Sequence, residues 1–354
     1  MTAFAFRAKG LWLLLAAALL GGCSTLGYYA QLVAGQADLL NRARPLSAVL
    51  VDPALKPATR EALLDLAGAR RFASRHLGLP DDGSYRDYAD LGRPYAVWNV
   101  IATDPFSLTP RQWCFPITGC VPYRGYFHEA QARELAEKLA AEGQDVYVAG
   151  ARAYSTLGWF DDPLLNTMLY RDRALRAEIL FHELAHRRLY VADDGAFNEA
   201  FASFVAQEGT RRWLRHSGAD PALQAAYRKR LEWRREFTAL LRRARARLAA
   251  VYARDLPEAA MREAKRAEFR RLREEYAAWR KRAGTTAWDA WMAQDLNNAH
   301  LALVGTYRDL VPGFARLLAR CGDDLPRFYR AVERLTGMVA EKRRAGLNNG
   351  ECIQ

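Results

Sequence analysis

Apolar positions along this chain recur in two rhythms, and their alternation lays out the elements before any chemistry is considered. Between Lys56 and His76 the residues Leu63, Leu64, Leu66 and Phe72 recur at helical spacing, and the turn-rich run Pro80-Asp81-Asp82-Gly83 stops the pattern. Tyr95 to Ala102 (YAVWNVIA), the cysteine- and proline-containing region from Gln112 to Phe127, and Asp145 to Tyr154 (DVYVAGARAY) read as strands, with a helix from His128 to Glu142 between them. Asp172 to Val191 and Ala196 to Glu208 read as two helices joined by the short loop Ala192-Asp193-Asp194-Gly195. From Arg211 to Arg282, arginine, alanine, leucine and glutamate recur at helical spacing with Pro257 as the interruption, which predicts a helical hairpin or bundle. Asn297 to Leu318 and Leu325 to Ala345 supply further helices that return to the main body, and Thr25 to Arg44 forms a helical or flexible lead-in ending at Pro45. No internal repeat is visible.

Strands gathered early and helices gathered late predict an α+β fold, predominantly helical, with a small sheet beside the helix that starts at Asp172. With 354 residues, 51% of them hydrophobic and 26% charged, the chain is long and apolar enough for one large domain or two ordinary ones, and most of it is not a disordered sequence. The pattern divides it into a leader at 1–22, a tether at 23–45, a core at 46–210, an arginine-rich helical hairpin at 211–290 and C-terminal helices at 291–354 that pack on the core.

The leader has the build of an export signal. Arg7 and Lys9 precede the uncharged run from Leu11 to Leu20, which is far shorter than the roughly 20 apolar residues that span a bilayer. Leu20-Gly21-Gly22-Cys23-Ser24 resembles the lipobox of bacterial lipoproteins, and that resemblance implies a lipid on Cys23, which then becomes the first residue of the mature chain. Ser24 behind the acylated cysteine implies sorting to the periplasmic face of the outer membrane. Setting Cys23 aside leaves Cys114, Cys120, Cys321 and Cys352, an even number suited to an oxidising compartment. Three pairings are open; local pairing would close two small loops. A cysteine zinc site is disfavoured, since no Cys-x-x-Cys pair occurs.

The chemistry concentrates in Phe181-His182-Glu183-Leu184-Ala185-His186. On a helix, histidines four residues apart project from one face, so one metal ion can touch both, and the glutamate between them stands beside a metal-bound water as general base. Zinc is the ion this donor type suits, one per chain, with a third protein ligand and one position kept for water. Glu199, in Phe197-Asn198-Glu199-Ala200 on the following helix, offers that third ligand if the short loop folds the second helix back. Glu208, further along, is expected on the surface.

This arrangement resembles the gluzincins, in which a second helix supplies a glutamate ligand. Together with the lipobox, Pro122 to Phe127 (PYRGYF), Ala153 to Met168 (AYSTLGWFDDPLLNTM), NEAFASFV and Leu296 to Tyr307 (LNNAHLALVGTY), it resembles the putative aminopeptidase family of bacterial lipoproteins over nearly the whole mature chain. The resemblance implies a zincin-like catalytic core, a peptide or protein substrate, His182, His186 and Glu199 as zinc ligands, and Glu183 as the catalytic residue. A metzincin site is set aside, because Arg187-Arg188-Leu189-Tyr190-Val191 holds neither the glycine nor the third histidine it needs.

Other candidates follow from what a peptidase requires. A tetrahedral oxyanion needs a donor, for which Tyr154, Tyr126, His300 and Tyr307 are available. The segment from Asp145 to Tyr154 offers an edge strand for an extended peptide, and Trp159-Phe160-Asp161-Asp162-Pro163 a loop at the cleft whose acids attract a substrate amine. His76, His128 and His216 read as structural or surface residues. The formal charge of +12 and pI near 9.6 draw anionic partners. Export removes nucleic acid from that list, and the arginines of Arg242 to Arg247 and Arg262 to Arg273, interleaved with Glu232, Glu236, Glu263, Glu268, Glu274 and Glu275, read as solvated helix faces with ion pairs. The rival to an enzyme is an envelope lipoprotein that binds a protein, lipid or anionic polymer through those basic helices.

Overall fold

The computed structural model describes residues 26–115, 119–156, 159–169, 172–304, 310–349 and Cys352. The leader and Cys23 lie outside the described residues, as does Tyr307. The fold is predominantly helical α+β, as the apolar rhythms predict. Helix α1 (26–42) and the short α2 (Leu46–Leu50) flank β1 (Arg44–Pro45), and α3 (Pro57–Leu77) leads to β2 (Asp87–Ala89) and β3 (Val97–Thr103). Then come β4 (Trp113–Phe115), β5 (Gly119–Val121), β6 (Arg124–Tyr126), α4 (Glu129–Ala141), β7 (Asp145–Ala151) and β8 (Leu164–Leu165). The rest is helical: α5 (Arg173–Arg188), α6 (Gly195–His216), α7 (Pro221–Tyr252), α8 (Glu258–Ala283), α9 (Asp289–Met292), α10 (Asn298–Ala302), α11 (Val311–Arg320), α12 (Leu325–Thr336) and α13 (Ala340–Asn349).

The main core forms where α3, α5 and α6 meet and α11 and α12 close over them. Leu63, Leu66, Leu180, Phe181, Leu184, Phe197, Phe201, Phe314 and Phe328 are withdrawn from solvent there. Each such side chain contributes about 1.5–3 kcal/mol on removal from water. Close approach of the helices depends on Gly209, whose added Cβ would stand 2.7 Å from Leu77 Cδ1 and 3.1 Å from Phe181. Helix α6 runs eight residues beyond the predicted stop at Glu208, because Trp213 and Leu214 still face the core. The expectation for Glu208 is corrected: its side chain is buried, and Arg211 and Arg212, three and four residues on, turn back to neutralise it.

Three small sheets flank this core. In the order β6-β3-β7 all pairing is antiparallel, with Trp98 opposite Tyr126 and Gly150, and α4 packs on this sheet. The order β1-β2-β8 includes a parallel β2–β8 pair. Strands β4 and β5 form a hairpin closed by Cys114–Cys120. The second disulfide, Cys321–Cys352, ties the end of α11 to the C-terminus, so both bridges follow the local pairing.

Helices α7 and α8 form the hairpin that the pattern predicts, broken at Pro257, which caps α8. They run antiparallel, since Arg247 pairs with Glu268 (2.7 Å) while Trp279 Nε1 donates to Glu236 (2.8 Å). Phe237, Leu240, Leu241, Leu272, Tyr276 and Trp279 fill the seam. Outside it, Arg262–Glu258, Arg266–Glu263 and Arg271–Glu275 pair along the exposed faces. Other arginines reach the main body: Arg230 pairs with Asp172, Arg234 with Glu178, and Arg245 donates to Leu108 O (3.2 Å). No helix among the described residues is long and apolar enough to cross a membrane.

The C-terminal helix is fastened by a buried charge. Arg343, 5% exposed, pairs with Asp194, donates to the carbonyls of Met338 (2.7 Å) and Leu335 (3.3 Å), and lies over the ring of Phe197. Arg343→Met leaves Asp194 buried without its counter-charge and should lower the unfolding free energy by about 3 kcal/mol. Arg266→Met, which breaks an exposed pair, should leave urea denaturation unchanged; equal midpoints for the two variants would refute the anchoring role of Arg343.

Candidate metal centre

Helix α5 presents the HExxH residues from a well-fixed start. Asp172 caps it by accepting from Leu175 N at 3.1 Å. Apolar Ala177, Leu180, Phe181, Leu184 and Ala185 face the core, which turns His182 and His186 together to the opposite side. Their Nε2 atoms face each other at 3.1 Å.

Residues 189–194, between α5 and α6, reverse the chain. Asp193 adopts a left-handed backbone (φ 60°), and Asp194 caps α6 by accepting from Phe197 N at 3.1 Å. Asn198 clasps the turn from both sides: Val191 N donates to its Oδ1 at 2.8 Å, and its Nδ2 donates to Val191 O at 2.7 Å. One residue on, Glu199 is delivered to the histidines, with Oε2 3.4 Å from His182 Nε2 and Oε1 3.5 Å from His186 Nε2. The β4–β5 hairpin rests on the same turn, where Cys120 N donates to Asp193 Oδ1 (3.3 Å). Gly119 (φ 69°) sits so close to that carboxylate that a Cβ could not be accommodated.

These three side chains could hold a metal ion. A tetrahedral ion with bonds of 2.0–2.1 Å needs donor atoms about 3.3 Å apart, the spacing present here. The electrostatics fit as well. Burial pulls His186 down to about 4, helped by neighbouring His182 and opposed by Glu199. Burial also pulls His182 down, but the hydrogen bond and charge of Glu199, with Glu183 behind them, outweigh it and hold this imidazole above its ordinary value. Glu183 is pushed up to about 7 by burial, with Glu199 and Asp162 adding to the effect and His182 opposing it. Two carboxylates and two imidazoles drawn from water into one place are what a divalent cation relieves.

Further groups brace α5 along two of its stripes. Glu178, one turn before His182, accepts from both terminal nitrogens of Arg234 on α7, and Tyr227 is buried beside it. One turn after Glu183, Arg187 donates to Asp82 Oδ2 (2.7 Å) and to Phe160 O (3.1 Å). Tyr85 and Asp162 lie beside Glu183. Tyr85 is fully buried with φ 61°, a conformation bulky residues rarely take, and its N–H donates to Asp162 O at 2.6 Å.

The other predicted residues are dispersed. Tyr154 packs edge-on against Phe127 (5.4 Å) in the main core. Tyr126 is buried in the sheet against Tyr28. His300 stacks on Tyr147 (4.1 Å) and serves as the N3 partner in the capping box of α10, where its Nδ1 accepts from Asn297 N at 3.2 Å. It lies outside the metal-ligand group. Strand β7 is the edge of its sheet, but Asn297 Nδ2 already donates to Val146 O (2.9 Å). The acids expected to attract an amine divide: Asp161 is exposed, whereas Asp162 is 2% exposed and accepts from Thr156 N at 2.9 Å. His76 and His216 are exposed and stack together with Phe72, in keeping with a structural role.

Sequence reasoning missed Tyr123, a half-buried tyrosine that feels the charges of Glu199, Tyr190 and Glu183, and missed Tyr85 and Glu178. Glu178 alone carried a signal, its spacing of four residues from His182.

A family model described as "Putative aminopeptidase" matches residues 27–347. No curated protein and no solved structure matches the chain.

Since Asn198 fixes the turn without touching the ligand group, Asn198→Ala should leave the fold cooperative but weaken divalent-metal binding about 10-fold or more, the usual effect of losing an outer support. Competition with a chromophoric chelator measures this, and an unchanged affinity would exclude Asn198 as a support of the site.

Proposed function

The chain belongs to the putative aminopeptidase family, and from that membership and the geometry of its metal centre we propose a zinc-dependent peptidase of the bacterial cell envelope with a zincin-like core. The observation that carries the reading is the convergence of His182, His186 and Glu199 donor atoms at 3.1–3.5 Å beside a half-buried Glu183. Zinc bound there supplies Lewis acidity toward the peptide carbonyl and lowers the pKa of a bound water toward about 7.

The chain's own residues do the rest. Glu183 takes the proton of the attacking water and returns it to the leaving amine, so one carboxylate serves both half-steps. Its burial favours that exchange, because a carboxyl with a raised proton affinity accepts near neutral pH. Asp162 and Tyr85 close its rear, and Arg187 fixes the loop that carries Asp162. Tyr123, whose phenol feels the charges of both Glu199 and Glu183, is the candidate donor to the oxyanion. The signal-like run, the lipobox and an even set of bridged cysteines support an envelope location, with Cys23 as the lipid anchor.

Metal analysis of the purified protein should find one zinc per chain, lost in His186→Ala and weakened in Glu199→Ala. Glu183→Gln should retain zinc while turnover on a peptide library falls by at least ~100-fold. A chain that binds no zinc when supplied with it is an envelope binding protein instead, acting through its basic helices.

Cys23→Ser should move the protein from the membrane to the soluble fraction of the cells that export it. Retention of the variant on membranes would refute lipid anchoring at that residue.

A further inference from the structure

Two large aromatic side chains stand in solvent on the loop that Arg187 of α5 holds by its Phe160 carbonyl: Trp159 is 67% exposed and Phe160 48%. Scattered exposed apolar residues need no explanation. This pair differs in being adjacent, aromatic and held at its own backbone by hydrogen bonds. Trp159 N donates to Thr156 O (3.1 Å), Phe160 N to Thr156 Oγ1 (3.1 Å), and Thr156 N to the buried Asp162 Oδ2 (2.9 Å). Backbone hydrogen bonds at the aromatic residues themselves lower the ordering cost of presenting their rings.

The loop's attachment sets where the rings are presented. Phe160 O accepts from Arg187 Nη1 at 3.1 Å. Arg187 follows Glu183 by four residues, one helical turn along the same stripe of α5, and Asp162 lies beside Glu183 itself. The aromatic pair therefore borders the side of the metal centre on which Glu183 acts, while Tyr190, 39% exposed, borders the Glu199 side.

We propose that Trp159 and Phe160 form an apolar subsite, and that the substrates are peptides with a bulky apolar residue next to the cleaved bond. The inference rests on the peptidase reading and adds the substrate class. Aromatic side chains are the usual anchors for such contacts, since they offer a large contact area for few rotatable bonds. Arg187 is committed to Asp82 and the Phe160 carbonyl, and Asp162 is buried, so apart from the exposed Asp161 the rings are what this flank offers a ligand.

The test uses the full-length, zinc-loaded protein on a peptide library, followed by matched peptides carrying Phe or Ala beside the cleaved bond. Wild type should enrich Leu, Met, Phe and Tyr at that position. In the double variant Trp159→Ser, Phe160→Ser the ratio of kcat/KM for Phe over Ala peptides should fall at least ~10-fold, mainly through KM, with zinc content unchanged. Trp159→Phe with Phe160→Leu should restore most of the ratio. Cleavage without apolar enrichment, or a ratio that the double variant leaves intact, overturns the subsite while the peptidase reading stands. Failure of zinc-loaded wild type to cleave any peptide overturns both.

Discussion

The relation between α5 and α6 is the constraint on which the rest of the molecule depends. A metal centre made from two helices tolerates only small errors of placement, because its donor atoms must meet at bond lengths that vary by a few tenths of an ångström. Between His186 and Glu199 the chain has room for one turn, and that turn is fastened by polar contacts from every side: Asn198 on Val191, Asp194 on the α6 N-terminus, Cys120 N on Asp193 and Arg343 on Asp194. These fasteners come from the turn itself, from the disulfide hairpin and from the last described helix. Elements more than a hundred residues apart thus bear on one short loop.

The price of such a site is buried charge, and the structure meets it by pairing acids with arginine. Glu178 is held by Arg234, Asp82 by Arg187, Asp194 by Arg343 and Glu208 by Arg211 and Arg212. An uncompensated carboxylate at any of these places would cost several kcal/mol. Arginine suits the work because its planar, permanently charged fork satisfies a carboxylate and one or two carbonyls together, as Arg343 does with Leu335 and Met338. Much of the chain's basic character is structural in this sense, and the excess lies on the α7–α8 hairpin.

How much of this was legible in the sequence depends on the range of the interaction. Periodicity located α3, α4, α5 and the α7–α8 break at Pro257, because amphipathic spacing is a local property. The HExxH spacing and the short loop before Glu199 were equally local, so the ligand set could be written down from residues 182–199. Glu208 was misplaced at the surface because its partners on the same helix do not reveal how deeply that helix is covered by α11. Tyr85, Tyr123 and Asp162 come to Glu183 from loops far away in sequence, and His300 carries no local mark that separates a helix-capping histidine from a catalytic one. Such residues become visible only when packing is known.

Helix α5 is gripped at both ends by different parts of the chain, and this determines how movement can reach the metal centre. Its first two turns are tied to the basic hairpin through Asp172–Arg230 and Glu178–Arg234, and its last turn to the 156–162 loop through Arg187. Between these grips its apolar stripe is sealed in the core, so the helix cannot slide without breaking ion pairs at one end or the other. A displacement of the hairpin bears first on Glu178, one turn from His182, whereas a displacement of the loop bears on Arg187, one turn from Glu183. The His182–His186–Glu199 group and Glu183 are therefore linked to separate surfaces of the molecule, the hairpin face and the aromatic loop, through a single helix.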